Sequence, residues 1–210
     1  MELKENLQNA LQNLRKEKER KFDQSVDFVI NLQKFDVKRT AINTLVNVPH
    51  KIKDKKIGAF LEIENENVHT ITSTGFKKYT SDKKAVKKLV DEFDFFIAQA
   101  SLMPKVATIF GRYLGPAGKM PSPQLGILMN VDDKAVLELK EKINSNLKIR
   151  VKEASVKLCI GKQSMSDHDL IENAMSIYNA LIKVLPRDKE NIKNIQLKFT
   201  MTKPVRIAVR

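Results

Sequence analysis

Residues 25–33 have the sequence SVDFVINLQ, in which hydrophobic side chains occupy every second position: Val26, Phe28, Ile30 and Leu32. This alternation predicts a β-strand with one buried face and one solvated face. A second strand is expected over residues 44–48, where Pro49 ends it. Upstream, leucines recur at steps of three and four residues, which predicts an amphipathic helix over the first twenty residues: Leu3, Leu7, Leu11 and Leu14.

The rhythm changes after the charged connector KIKDKK at residues 51–56. From there strands alternate with helices, which favours a parallel sheet layered with helices. Strands are predicted over 57–63, 68–72 and 95–98, and helices over 83–92, from Pro104 onward and over 132–143.

Beyond residue 147 the earlier pattern returns. We expect a hairpin over 147–160, turning near residues 152–154, and a long helix from the N-cap Ser166 through Leu185. A final strand pair is expected over 192–201 and 205–209. The change of rhythm predicts two domains: a discontinuous α+β domain from residues 1–52 and 147–210, and an inserted α/β domain from residues 53–146.

The charge balance favours a polyanionic partner. The 210 residues include 38 Lys and Arg against 25 Asp and Glu, a net charge of +13. Residues 95–131 contain no acid, and neither does the chain after Glu190, which suggests two contact surfaces. The tail carries these basic residues: Lys193, Lys198, Lys203, Arg206 and Arg210. A lysine-rich protein without a nucleic-acid partner stays an alternative at this point.

Composition also limits the other classes. A single cysteine, Cys159, excludes an internal disulfide framework and fits a reducing compartment. No apolar run approaches the ~20 residues of a membrane helix, and the N-terminus lacks the features of a secretory signal. We therefore expect a soluble cytosolic protein without a membrane partner.

The segment 111–126, GRYLGPAGKMPSPQLG, is rich in glycine and proline and predicts a shaped loop. Gly118-Lys119 resembles part of a phosphate loop, but that motif needs glycine at Tyr113 and Ser or Thr at Met120. Without acids nearby, Arg112 and Lys119 favour contact with a nucleic-acid backbone, and a rigid connector is the alternative.

The sequence contains few patterns typical of a catalytic site or a metal site. The three histidines, His50, His69 and His168, are too scattered along the chain to indicate a metal site. Cys159 lies in an apolar stretch typical of a core position. No paired carboxylates or serine elbow occur. We therefore expect neither an enzyme nor a cofactor, and a nucleotide-using enzyme is the least favoured class.

Six blocks, in order, resemble the archaeal and eukaryotic-like branch of the ribosomal L-one stalk protein family. The most specific is IFGRYLGPAGKMPSP at residues 109–123. The others are KFDQSVDFVINL (21–32), NVPH (47–50), DFFIAQASLMP (94–104), IGKQSMSDHDLIENA (160–174) and KFTMTKPVRI (198–207).

The resemblance implies the two domains above, with a three-layer, Rossmann-like inserted domain. It implies a structural constituent of the large ribosomal subunit, located in the cytoplasm and monomeric within the ribosome. The end domain would bind a folded element of 23S-type rRNA to form the mobile stalk at the exit site. The inserted domain would face exit-site tRNA and assist release of deacylated tRNA. Some members also repress translation of their own mRNA. A ribosome-free RNA-binding regulator or chaperone is the alternative.

Matched by position, the resemblance implies rRNA contacts in three segments: Lys21, Phe22, Ser25 and Asp27; Lys162 and Ser164; Lys198, Thr200, Met201 and Thr202. For Phe22, a core position is the alternative. It implies these tRNA-facing residues: Arg112, Gly115, Gly118 and Lys119. The chain departs from the family pattern at Thr202, where glycine is usual, at Ala117, where arginine is usual, and after His50, where the hinge lacks glycine.

Overall fold

The computed structural model describes residues 2–18, 20–37, 40, 42–76, 79, 82–129 and 131–208. It is a mixed α/β protein whose described strands form three sheets. The chain divides into two compact units. Unit 1 comprises Met1–Lys53 with Ser145–Arg210, and unit 2 comprises Asp54–Asn144.

The elements follow in chain order. They are α1 (Glu2–Arg15), β1 (Ser25–Leu32), β2 (Asn43–Asn47), β3 (Ile57–Phe60), β4 (His69–Ile71), α2 (Lys83–Glu92), β5 (Phe95–Gln99), α3 (Met103–Ala117), β6 (Ile127–Leu128), α4 (Asp133–Ser145), β7 (Asn146–Arg150), β8 (Ser155–Lys162), α5 (Asp167–Val184), β9 (Ile192–Phe199) and β10 (Val205–Ile207). Short 3₁₀ turns lie at Ala100–Leu102 and Asp188–Asn191.

Unit 1 is built around β1, in the strand order β10-β9-β1-β8. Phe28 lies opposite Leu158 on one side and Leu197 on the other, in antiparallel register. The even-numbered residues of β1 are buried and its odd-numbered residues are partly exposed, so the predicted strand with one wet face is confirmed.

Two predicted helices cover the buried face of this sheet. The leucines Leu7, Leu11 and Leu14 of α1 join the same core as β1, which confirms the amphipathic helix. The predicted cap of α5 is also confirmed, because the Ser166 hydroxyl accepts a hydrogen bond from the Asp169 N–H at 3.2 Å.

The hairpin predicted over residues 147–160 is wrong. β7 pairs instead with β2, with Ile149 opposite Thr44, in a separate two-stranded sheet. β8 pairs with β1, and its residues Val156 and Ile160 enter the main core. Burial of these side chains beside β1 outweighs the proximity of β7 and β8 in sequence.

Unit 2 contains the predicted parallel sheet, in the order β4-β3-β5-β6. One face packs against α2 and α3 through a cluster of aromatic rings. The Phe60 ring centroid lies 4.9 Å from that of Phe110 and 5.4 Å from that of Phe96. This aromatic cluster joins the sheet to its helices.

The loop predicted over residues 111–126 is wrong in its first half, because α3 continues to Ala117. Its residues Val106, Phe110 and Leu114 are buried at four-residue spacing, and this packing outweighs the low helix propensity of the glycines. The helix ends where Gly118 adopts φ 72°, a left-handed conformation that glycine adopts without strain.

Gly161 brings β8 close to α5. A Cβ at this position would lie 2.5 Å from Leu170 Cδ2 and 2.7 Å from Met165 Sδ.

We predict that Gly161→Ala lowers the free energy of unfolding by about 1–3 kcal/mol, the usual cost of overpacking. Urea unfolding measures this change. The matched control is Gly111→Ala, whose Cβ would meet nothing within 4 Å. Because alanine favours a helix, the control should gain up to about 1 kcal/mol. Equal effects of the two substitutions would contradict the prediction.

Candidate nucleic-acid interface

Three distant segments of unit 1 meet where β1 begins: residues 21–25, 162–164 and 198–202. We call this surface the β1 rim. Ser25 lies opposite Lys162 in the β1–β8 pairing. The N–H of Thr200 donates to the Ser25 carbonyl at 3.1 Å. The structure thus brings together the rRNA-binding residues predicted from all three segments, with Asp27 next to them on β1, opposite Lys198.

Buried Gln24 connects the three segments, and the sequence analysis missed it. Its carbonyl accepts from the Gln163 N–H at 2.8 Å, and its Nε2 donates to Gln163 Oε1 at 3.1 Å. Its Oε1 accepts from the Met201 N–H at 3.0 Å. Gln24 comes directly before β1 and continues its pattern of buried even-numbered residues. Extending that alternation by one residue would therefore have predicted that Gln24 is buried.

Asp23 holds the second segment in place and was also missed. Its carboxylate accepts from the N–H of Ser164 at 3.0 Å and from the Ser164 hydroxyl at 2.9 Å. Lys162 Nζ lies 3.8 Å from the same carboxylate. The Ser164 hydroxyl therefore directs its proton at Asp23, and Lys162 is an exposed cation at a long ion-pair distance from the same carboxylate.

The two threonines of the third segment bond to backbone. Thr200 Oγ1 accepts from the Ser25 N–H at 3.0 Å and donates to the Ser25 carbonyl at 3.3 Å. Thr202 Oγ1 accepts from the Phe199 N–H at 2.9 Å and donates to the Phe199 carbonyl at 3.3 Å. These hydroxyls fix the shape of the turn, and each keeps a lone pair that can accept a hydrogen bond from a ligand.

Phe22 and Met201 expose large apolar side chains on the rim. Phe22 is 51% exposed and Met201 is 58% exposed. A core position for Phe22 is thereby excluded. Lys21 beside Phe22 and Lys203 beyond Met201 are also exposed. Apolar side chains flanked by cations suit the faces of sugars and bases next to phosphates.

The open face of the sheet continues from the rim as a groove of ≈460 Å³ lined by Asp27, Lys157, Cys159, Gln196 and Lys198, among others. The expected core position of Cys159 is wrong, since it is half-buried in this groove. Alternation along β8 explains the difference, because Val156 and Ile160 face the core and Cys159, opposite Asp27, falls on the open side. A bulge follows at Ile160, since the next paired residue, Gly161, lies opposite Val26.

The predicted tRNA-facing residues lie in unit 2, at the end of α3. Arg112 and Gly115 are exposed, whereas Gly118 forms the C-cap. Lys119 is half-buried, and its Nζ donates to the Val90 carbonyl at 2.6 Å, near the end of α2. Lys119 therefore neutralises a helix C-terminus. Of these four residues, Arg112 is the freely exposed cation.

The expectation that all three histidines lie apart is wrong for one pair. Ligand atoms of His50, His168 and Glu172 lie within 4.8 Å of one another. Asn173 of α5 explains the approach, because its side chain holds the His50 backbone by two hydrogen bonds of 2.9 Å. His69 lies in unit 2, stacked on Phe93 with ring centroids 5.0 Å apart.

Residues 14–203 match the sequence profile of the ribosomal protein L1p/L10e family. This chain belongs to that family. It is 33% identical to the large ribosomal subunit protein uL1 of Nanoarchaeum equitans, over 92% of this chain and 95% of the relative. It is 34% identical to the proteins of the same name from Thermofilum pendens, over 91% and 87%, and Pyrococcus horikoshii, over 90% and 89%. The expected L1-family membership is confirmed.

Within the part of this L1-family chain that the structure describes, no helix has the length and apolar character needed to span a bilayer.

Asp27 gives the interface a pH-dependent stability. Burial raises the pKa of its carboxyl group, and Lys198 partly opposes the rise. The folded chain therefore holds this proton more tightly than the unfolded chain. The stabilisation is present below the ordinary pKa of 3.8 and is lost as pH rises through the raised folded pKa.

We predict that the Asp27→Asn variant does not lose this stability as pH rises. The free energy of unfolding of the variant minus that of the wild type should increase as pH rises from below 3.8 through the raised folded pKa, and then level off. Urea titrations at a series of pH values measure the difference. A difference that stays flat or narrows across this window would contradict the assigned cause.

Proposed function

We propose that this L1-family chain is a constituent of the large ribosomal subunit, in the cytoplasm, and that unit 1 binds a folded element of rRNA through the β1 rim. The observation that carries the proposal is the convergence of residues 21–25, 162–164 and 198–202 on buried Gln24. The naming of its archaeal relatives as large ribosomal subunit proteins supports the ribosomal setting. The net charge of +13 supports a nucleic-acid partner.

The chemistry of the rim suits a folded RNA backbone. Exposed Lys21 and Lys162 supply charge for phosphates, which gives affinity without sequence selection. The lone pairs of Thr200 and Asp27 accept hydrogen bonds from 2′-hydroxyls, a group that DNA lacks. Because internal hydrogen bonds already hold the turn and the strand, little side-chain freedom is lost on binding.

For unit 2 we propose the stalk role of the family. In this proposal unit 1, predicted as residues 1–52 and 147–210, anchors the protein on rRNA. The three-layer, Rossmann-like domain of residues 53–146 faces tRNA at the exit site and assists its release. Exposed Arg112 supports a phosphate-facing surface, and exposed Gly115, one helical turn further on, leaves the approach to it open. The protein would act by binding and positioning, without a catalytic step.

A second role uses the same rim. An RNA fold in the protein's own mRNA that resembles the rRNA element would compete for unit 1, so repression of translation would follow from the same chemistry. A ribosome-free regulator or chaperone would use identical contacts. Sedimentation separates these roles: a ribosomal constituent travels with large subunits, whereas a free regulator stays in the soluble fraction bound to its transcript.

The apolar part of the rim gives the first test. We predict that Phe22→Ala combined with Met201→Ala weakens binding to a large-subunit rRNA fragment at least about tenfold, since base or sugar stacking is lost. Nuclease footprinting locates the fragment and fluorescence anisotropy measures the dissociation constant. Ile63→Ala is the matched control, because Ile63 is an exposed apolar residue of unit 2. An unchanged dissociation constant for the double variant would refute the rim as the RNA site.

The cationic part of the rim gives a second test, based on salt. Lys162→Ala should weaken rRNA binding and reduce the slope of log affinity against log salt by about 1, since one phosphate contact is lost. The control is Lys134→Ala, an exposed lysine of unit 2. Identical slopes in the wild type and in Lys162→Ala would remove Lys162 from the interface.

The division of roles between units has its own test. Arg112→Ala should leave rRNA affinity unchanged and should change the dissociation rate of deacylated tRNA from ribosomes reconstituted with the variant. Lys119→Ala should instead lower the free energy of unfolding, because the α2 carbonyl of Val90 loses its partner. If Arg112→Ala abolished binding to the isolated rRNA fragment, the proposed division would be wrong.

A further inference from the structure

We propose that His50, His168 and Glu172 of unit 1 form a binding site for a divalent transition-metal ion, best matched by Zn²⁺. Two imidazoles and one carboxylate are a ligand set that Zn²⁺ accepts in four-coordinate sites, with water in the fourth position. The proposal concerns a site separate from the β1 rim.

The rings of His50 and His168 each face the same two carboxylates, with the same ring nitrogen towards the same carboxylate. His50 Nε2 lies 2.7 Å from Glu172 Oε2, and His168 Nε2 lies 3.6 Å from Glu172 Oε1. On the other side of each ring, Nδ1 faces Asp169 Oδ1, at 3.6 Å for His50 and 3.9 Å for His168. Both Nε2 atoms therefore converge on Glu172, and both Nδ1 atoms face Asp169.

This arrangement divides the carboxylates into two roles. Glu172 is the ligand, because it lies between the two Nε2 atoms. Asp169 Oδ1, 3.6 Å and 3.9 Å from the two Nδ1 atoms, is placed to accept their N–H groups once the rings turn towards the ion, as outer carboxylates do in known zinc sites. The ion would displace the hydrogen bond between His50 Nε2 and Glu172 Oε2, and the ring proton would then lie on Nδ1, facing Asp169.

The fold positions the ligands without the ion. His168 and Glu172 are one helical turn apart on α5, and therefore lie on the same helix face. The backbone of His50 is fixed by Asn173, whose Oδ1 accepts from the His50 N–H and whose Nδ2 donates to the His50 carbonyl, each at 2.9 Å. The preceding segment is held where Ser176 Oγ donates to the Asn47 carbonyl at 2.8 Å.

Accessibility also fits an ion from solvent. The His168 side chain is 77% exposed, so it can rotate the remaining distance towards the ion. The Glu172 side chain is 40% exposed, so its carboxylate is open to the solvent from which the ion would come.

The test is calorimetric titration of the full-length, untagged protein with Zn²⁺. We expect one saturable site and a rise in the unfolding temperature with Zn²⁺, because an ion bound only to the folded state stabilises it. Co²⁺ in place of Zn²⁺ should give a visible absorption band from ligand-field transitions. His168→Gln and Glu172→Gln should each weaken Zn²⁺ binding at least about tenfold and remove the shift in unfolding temperature.

Three variants serve as comparisons. Asp169→Asn should weaken Zn²⁺ binding about tenfold, since it orients the ligands without touching the ion. His69→Gln and Cys159→Ser should leave the affinity unchanged. His168→Gln is the decisive variant, because substitution of an exposed side chain leaves folding stability nearly unchanged. No saturable binding by the wild type, or equal Zn²⁺ affinity in wild type and His168→Gln, would overturn the proposal.

Discussion

The position of β1 between β8 and β9 is the constraint on which unit 1 depends. A strand from residues 25–32 has its two hydrogen-bonded neighbours at residues 155–162 and 192–199. Its side chains Val26, Phe28 and Ile30 are fully buried, in one core with residues of both neighbours. The rim exists because these strands pair although they are far apart in sequence. The loop-closure entropy that this pairing costs is offset by the burial of apolar side chains across the whole sheet.

Two buried side-chain amides hold separate chain segments of unit 1 in fixed positions by hydrogen bonds. Gln24 joins three segments at the start of β1. Asn173, which is fully buried, joins α5 to His50 and to the Ile160 carbonyl at the β8 bulge. Among the residues that the structure describes, no buried side-chain nitrogen or oxygen lacks a hydrogen-bond partner. Because an unsatisfied buried amide is costly, these residues exclude other placements of the loops they hold.

The sequence predicts elements better than it predicts their partners. Alternation over residues 25–32 and leucine spacing in α1 correctly indicate a half-wet strand and an amphipathic helix, because both signals are local. The 147–160 hairpin fails because β8 gains more burial beside β1 than beside β7. The loop at 111–117 fails because Phe110 and Leu114 anchor a helix that contains two glycines. Asp23 and the meeting of His50 with His168 depend on distant contacts that no local pattern records. The alternation of β1 indicates that Gln24 is buried but not which segments it joins, although the resemblance located the three rim segments.

The discontinuous unit also fixes an order of events during synthesis. Residues 54–144 complete a compact unit of their own once they have emerged, whereas β1 waits unpaired for β8 and then β9. The turn at residues 200–202 is made after the other two segments of the β1 rim. A growing chain therefore lacks a complete β1 rim until that turn has emerged, so a nascent copy cannot compete with finished copies for whatever the rim binds.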